Sequence, residues 1–331
     1  MVLRHAKWAP ALLVSFLLSA CGGGGGGSGA ADTSKPATAR ESLASLNPTA
    51  PQAAGDSATD SISWFNFRRQ QIGLPGLARN ASIDTAALGH SNYQTFNGIT
   101  HIQEEGKQGF TGACLFDNAK EAACAPSKVS RLEAAGYQFT PLTSYAYGEV
   151  IVRTGDPAGF NGAEDLIAAI YHRFVIFEPM FKEIGSGAAT APDGSIYITT
   201  DFAANGLSRV LGQGGTVVYP FANQQNVPRI FLSDSESPDP VAGKNEVGYP
   251  ISIHADITST VSVQSFTVQP RGGSPLPAQL LTNSTDAQHT PKSVAAIVPL
   301  DVLAAGATYD VQFKGTVDGL TVERSWSFST R

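Results

Sequence analysis

The chain has 331 residues, a formal charge of −6, 42% hydrophobic residues and 15% charged ones. A mildly acidic chain without basic runs excludes the electrostatic footprint of a nucleic-acid binder, so nucleic acid is not expected as a partner. Its length exceeds what one core ordinarily covers, so two domains are expected.

Arg4 and Lys7 precede a short apolar run of Leu12, Leu13, Val14, Phe16, Leu17 and Leu18. That run falls short of the ~20 apolar residues a membrane-spanning helix needs, and residues 1–20 read as a secretory signal. Its end, Leu18-Ser19-Ala20-Cys21, resembles the lipobox of bacterial lipoproteins. The resemblance implies cleavage before Cys21 and acylation of its thiol. The alternative is an ordinary signal peptide with a chance Cys. Residues 21–58 open with unbroken glycine from Gly22 to Gly27 and continue in Ala, Ser, Thr and Pro. Such a stretch buries too little apolar surface to offset its conformational entropy and reads as a flexible tether. Loss of Arg4 and Lys7 makes the mature chain two charges more acidic, so attachment to a lipid bilayer rests on the acyl chains. Gly22, in place of an acidic residue after Cys21, favours the outer membrane in a cell that has one.

Three cysteines occur. With Cys21 assigned to lipid, Cys114 and Cys124 form an even pair in an exported chain, where a disulfide is the default. A metal site at that pair would need further thiols or histidines between them, and there are none.

The folded part opens with helices. Ile62, Phe65 and Arg69, with Trp64 and Phe67 alongside, predict a helix capped by Asp60 or Ser61 and stopped near Gly73. Ile83, Ala86, Ala87, His90 and Tyr93 share a face of a second helix, with Ser82 as cap and an end near Asn97-Gly98. After a loop-rich stretch to about Pro126, Val129, Leu132 and Ala135 predict a short helix ending at Gly136. Tyr145 to Val152 reads as a strand, Ala163 to Phe177 as a helix, and Ile184 and Ile196 to Thr200 as closing strands. This order predicts an α+β domain over residues 59–213, built as an α-β-α sandwich.

Beyond Gly212-Gln213-Gly214-Gly215, which reads as a linker, the helical period disappears. Val247–His254, Val261–Val268, Val294–Val298, Tyr309–Phe313 and Thr321–Phe328 alternate or are rich in β-branched and aromatic residues. Short strands separated by turn residues predict an all-β sandwich over residues 214–331. Leu303 to Tyr309 and Trp326-Ser327-Phe328-Ser329-Thr330 resemble the strand entry and closing strand of bacterial Ig-like or fibronectin-type modules.

Residues 64–206 carry a second resemblance. Asn66-Phe67-Arg68-Arg69 with Gly73-Leu74-Pro75, Ala87-Leu88-Gly89-His90-Ser91, Ile99-Thr100-His101, Phe110-Thr111-Gly112, Tyr147-Gly148-Glu149 and Tyr171-His172-Arg173 with Ile184-Gly185-Ser186-Gly187 follow one another in order. Together they resemble the bacterial SCP-like branch of the CAP superfamily of cysteine-rich secretory, antigen 5 and pathogenesis-related proteins. The chain departs from that pattern at Val150, where the family has Asn, and at Tyr171, where it has Gly.

The resemblance implies a central cleft holding His101, Glu149 and His172, with His90 close by, and Glu104, which follows His101 closely, could supply a further carboxylate. Two neutral imidazoles and a carboxylate suit zinc or another divalent metal with an open coordination position. Each residue also has a bland reading: His90 as a hydrogen-bonded structural histidine, Glu104 as a solvated loop residue, Glu149 as a bridge between loops. No nucleophile motif such as G-x-S-x-G or H-E-x-x-H occurs. The leading expectation is a lipid-anchored envelope protein whose cleft binds a divalent metal or a small apolar, lipid- or sterol-like ligand. The rivals are an envelope hydrolase using a metal-bound water at the same residues, and an adhesion protein that binds through its C-terminal domain. No protein partner follows from the sequence.

Overall fold

The fold was analysed in a computed structural model, which describes residues 15–16, 43, 47, 49–116, 124, 129–140 and 143–331. Most of the leader and tether, including the lipobox residue Cys21, lies outside the described residues. Strand β1 (Ser15–Phe16) pairs in parallel with β3 (Tyr145–Thr154).

Helix α1 (Ser57–Gln71) starts where the Asp56 carboxylate accepts the Thr59 amide, one turn earlier than the expected caps. Helix α2 (Ala81–Asn97) starts after Asn80, whose side chain accepts the amides of Ser82 and Ile83. It ends at Gly98, where φ is +83°, a conformation that favours glycine. The short helix α3 (Arg131–Ala134) is a single turn closed by a reciprocal Ser130–Glu133 capping box.

Strands β3 (Tyr145–Thr154), β5 (Ile196–Asn205) and β4 (Glu183–Thr190) form an antiparallel core, with β1 and β2 (Ala78–Arg79) on the edges. Gly185 and Gly187 explain why α2 lies directly on β4. A Cβ at Gly185 would collide with the Ile83–Asp84 backbone, and one at Gly187 with Leu88. The expected helix 163–177 is two helices, α4 (Gly159–Ala168) and α5 (Ile170–Ile176), because Ala169 adopts an extended backbone at φ −69°, ψ 117°.

After Gly206 the described chain is strands and one 3₁₀ turn. Strands β6 (Val217–Tyr219), β10 (Ile251–His254), β12 (Ala278–Thr282) and β13 (Val294–Pro299) form one sheet in the order β12-β13-β10-β6. Strands β7 (Gln224–Val227), β11 (Val261–Pro270), β14 (Thr308–Val317) and β15 (Leu320–Thr330) form another in the order β11-β14-β15-β7. Strands β8 (Ile230–Leu232) and β9 (Glu246–Gly248) make a separate ribbon.

The expected α-β-α sandwich is therefore corrected. The described residues are predominantly β, with their strands in four sheets and helices of only 4 to 17 residues. The physical reason lies in the 163–177 segment. Its apolar residues were read as one face of a covering helix, yet α5 is buried on every side, from Ile170 to Ile176. Its far side packs on strands: Phe177 meets Tyr219 at 5.0 Å between ring centroids, and Phe174 meets His254 at 5.9 Å. One apolar cluster thus runs from Trp64 and Phe65 through Phe177 and Ile253 to Phe328.

A buried arginine and a buried glutamate bind the two halves together. The Arg173 guanidinium lies 5.0 Å from the ring centroids of both Tyr219 and Tyr249 and donates to the Pro250 carbonyl at 2.7 Å. Arg69 donates to the carbonyls of Ile176 and Glu178, both at 2.8 Å. Glu178 in turn accepts the amides of Met180 and Ile257. Burial pushes its carboxyl up to about 8.

Candidate functional sites

Strand β3 carries Glu149 into the interior, where the side chain is 3% exposed. His101, from the loop after α2, donates through Nδ1 to Glu149 Oε1 at 2.8 Å. Arg131, from α3, donates to Glu149 Oε2 at 2.5 Å and to the His101 carbonyl at 2.9 Å. Burial, the largest influence, would raise the Glu149 pKa, but the Arg131 charge together with His90 and the His101 hydrogen bond outweighs it and holds the carboxyl well below its usual range.

His90 lies beside this pair, with Nε2 3.9 Å from Glu149 Oε1. Its Nε2–H donates to the Thr100 carbonyl at 2.7 Å, and its Nδ1 accepts from Gln103 Nε2 at 2.9 Å. Both ring nitrogens are thus in use. Burial, helped by the Arg131 charge, lowers its pKa to about 3, so the ring is neutral. Asp201 is the register partner of Glu149 on β5. Burial and the adjacent Glu149 charge push its carboxyl far above the usual range, so it is held as a neutral acid.

His101, Glu149 and His90 therefore meet, while Glu104 and His172 are placed elsewhere. The Glu104 side chain is 75% exposed and lies 4.0 Å from Lys107. His172, on α5, pairs with Glu236, to which its Nδ1 donates at 3.0 Å. The Glu236 carboxylate also accepts the amides of Ile170, Tyr171 and His172. It thereby meets the donors left unpaired where α5 begins after the extended Ala169.

This arrangement does not fit the expected metal. Among the described residues no group of three or more His, Cys, Asp or Glu side chains could hold a metal ion. Both Glu149 oxygens are taken, one of them by a guanidinium whose positive charge opposes a divalent cation. Sequence reasoning missed Arg131, Asp201 and Glu236 as site residues. Asp201 left one legible trace, a carboxylate inside the otherwise apolar and β-branched strand Ile196–Ala204. Glu236 left none, because it stands in the polar run Ser233–Ser237.

A cavity lined in part by His172 has a volume of about 1110 Å³. Its walls come from both halves: Ile151 and Val152 on β3 and Leu166 on α4, then Pro228, Ile230 and Phe231. About half of the lining is polar or charged, including His172, Asn226, Tyr197, Arg153, Asp165, Glu246, Arg331 and the Arg68–Glu164 pair. The last is a buried, two-pronged ion pair, with Arg68 Nε and NH2 donating to Glu164 at 2.9 and 2.8 Å. The Trp64 indole donates to the same carboxylate at 2.7 Å.

Cys114 and Cys124 are joined by a disulfide, with Cα atoms 5.4 Å apart. No helix among the described residues is long and apolar enough to cross a membrane.

No protein-family model matches the chain, and no curated protein does. Among solved structures, it is similar to an extracellular protein containing an SCP domain from Bacillus anthracis, at 18% identity and a TM-score of 0.32. That match covers 45% of this chain and 40% of the other, so the chain spans well under half of that relative. It is also similar to an outer surface protein of Borrelia burgdorferi, at 13% identity and a TM-score of 0.34, over 45% of this chain and 96% of the other. Neither likeness bears on what this chain does.

Proposed function

We propose that the chain is an exported, lipid-anchored binding protein that holds a small amphipathic ligand in the cavity between its two halves. The observation that carries this reading is the cavity itself. Its size is slightly above that of ordinary small-molecule sites, and its lining divides between apolar side chains and polar or charged ones, which suits a ligand with both characters. The Glu149 cluster is read as a structural and electrostatic centre, because both Glu149 oxygens are already taken by His101 and Arg131. Export is supported by the leader-like residues 1–20 and by the Cys114–Cys124 bond, which suits an oxidising compartment. Anchoring is supported by the lipobox-like Leu18–Cys21 and the glycine-rich segment behind it, with the outer membrane favoured by Gly22.

Two measurements test the reading. The purified soluble part should enhance the fluorescence of the neutral apolar dye N-phenyl-1-naphthylamine saturably, at one site per chain. Absence of saturable binding would remove the ligand-binding reading. Separately, Cys21→Ser should abolish membrane fractionation after a high-salt wash, since stable anchoring requires acyl chains. Retention of that variant on membranes would remove the anchor.

A further inference from the structure

The glycine-rich segment meets the folded part at the cavity. Leu43 is buried and lines that cavity, as does Asn47. The Asn47 side chain donates to the Leu43 carbonyl at 2.8 Å and accepts from the Arg68 guanidinium at 3.1 Å. Arg68 is itself locked to Glu164. Only residues 22–42 separate Cys21 from this attachment. A flexible chain of that length has a root-mean-square span of about 25 Å, less than the breadth of a folded body of this size. An anchor at Cys21 thus holds the cavity side of the protein toward the bilayer.

That side also exposes apolar side chains. Ile230 and Leu232 are 37% and 45% exposed, and both line the cavity. They alternate along β8 with Phe231, which turns into the core at 6% exposure. A strand with one apolar face inward ordinarily carries polar residues on the other; here both outward positions are aliphatic. The charges of the lining balance, with Arg68, Arg153 and Arg331 against Glu164, Asp165 and Glu246. Arg68 is paired with Glu164, and Arg153 with Asp193. A balanced rim gains nothing from anionic lipid, so apolar contact decides what covers it.

We propose that the Ile230–Leu232 rim of the cavity rests on the phospholipid bilayer that holds the anchor, and that this contact needs no anionic lipid. The inference rests on the lipid-anchor reading above and does not depend on whether the cavity holds a ligand. The acyl chains supply attachment and the rim supplies orientation. Two aliphatic side chains reach the boundary between headgroups and acyl chains, and the cavity then opens toward the membrane.

The test uses the full lipidated protein on phosphatidylcholine vesicles that contain a phosphatidylcholine with a nitroxide on its acyl chain. Leu232→Cys and Thr321→Cys are each labelled with the fluorophore NBD. The Cys114–Cys124 bond and acylation of Cys21 leave the new thiol as the labelling site. Thr321 is exposed and lies at the far end of β15 from Arg331, which lines the cavity. The lipid nitroxide should quench the label at position 232 about threefold more strongly than at position 321, because only a side chain at the acyl boundary meets it. Aqueous iodide should show the reverse order, and phosphatidylglycerol in place of part of the phosphatidylcholine should leave the ratio unchanged. Equal lipid quenching at the two positions, or stronger quenching at 321, would overturn the inference, leave the anchor standing and return the rim to a protein partner. A difference that appears only with anionic lipid would overturn the apolar contact. Failure of the unlabelled wild type to stay on the vesicles would overturn the anchor reading and this inference with it, leaving the dye-binding reading standing.

Discussion

Glu149 and Asp201 stand opposite each other on strands β3 and β5, and their carboxyls are driven in opposite directions. Arg131 reaches Glu149 and keeps it ionised, and that charge, added to burial, keeps Asp201 protonated. Two buried carboxyls side by side are tolerated because only one of them carries charge.

A raised carboxyl pKa in the folded state gives stability that is complete below the unfolded value of 3.8 and is lost as pH rises through the folded value. Asp201→Asn mimics the neutral acid and cannot ionise. Relative to wild type it should gain stability steadily from about pH 4 upwards. Urea unfolding at pH 4, 6.5 and 9 checks this. A difference between the two proteins that stays constant across that range would show that Asp201 is ionised in the fold.

The Arg131–Glu149 pair is buried at both ends, with side chains 0% and 3% exposed. Removing only the cation strands a buried carboxylate, so Arg131→Met should cost about 3–5 kcal/mol. Adding Glu149→Gln to that variant should recover part of the loss, because the stranded charge is gone. A double variant as unstable as the two single losses combined would mean that the pair is not coupled.

His90 and His254 are buried and depressed to about 3, by burial first and then by nearby arginines. A base depressed in the fold gives stability present above its unfolded pKa of 6.5 and lost as pH falls towards the folded value. Within that window each such histidine removes about 1.4 kcal/mol per pH unit. His254→Leu should therefore gain stability relative to the wild type as pH falls from 6.5 to 4. Parallel curves for the two proteins would show that His254 titrates normally.

The disulfide closes a short loop, with a sequence separation of 10. In the chain-entropy model it is worth about 2–3 kcal/mol. Reduction should lower the thermal midpoint and leave a cooperative transition, because the apolar clusters do not depend on the bond. Two titratable thiols in the unreduced, denatured mature protein would contradict the bond.

What the sequence determined by itself is local. The Asn97-Gly98 helix end, the strand at 145–154 and the strands after Val247 were legible because period, capping chemistry and glycine act within a few residues. The Cys114–Cys124 pair was legible because the remaining cysteines left no other pairing. His101 and Glu149, 48 residues apart, meet in the fold, and the expectation that put them in one cleft rested on the order of motifs and not on their spacing. Tertiary structure decided the rest. The break at Ala169 turned α5 into a segment buried by the C-terminal strands, and this drew His172 away from Glu149 to Glu236, 64 residues further along. Strand register set Asp201 against Glu149, and the meeting of the two halves made the cavity. Each of these depends on which apolar surfaces pack together, and burial then fixes which charges survive. A linear pattern carries neither piece of information, because both belong to contacts between residues far apart in the chain.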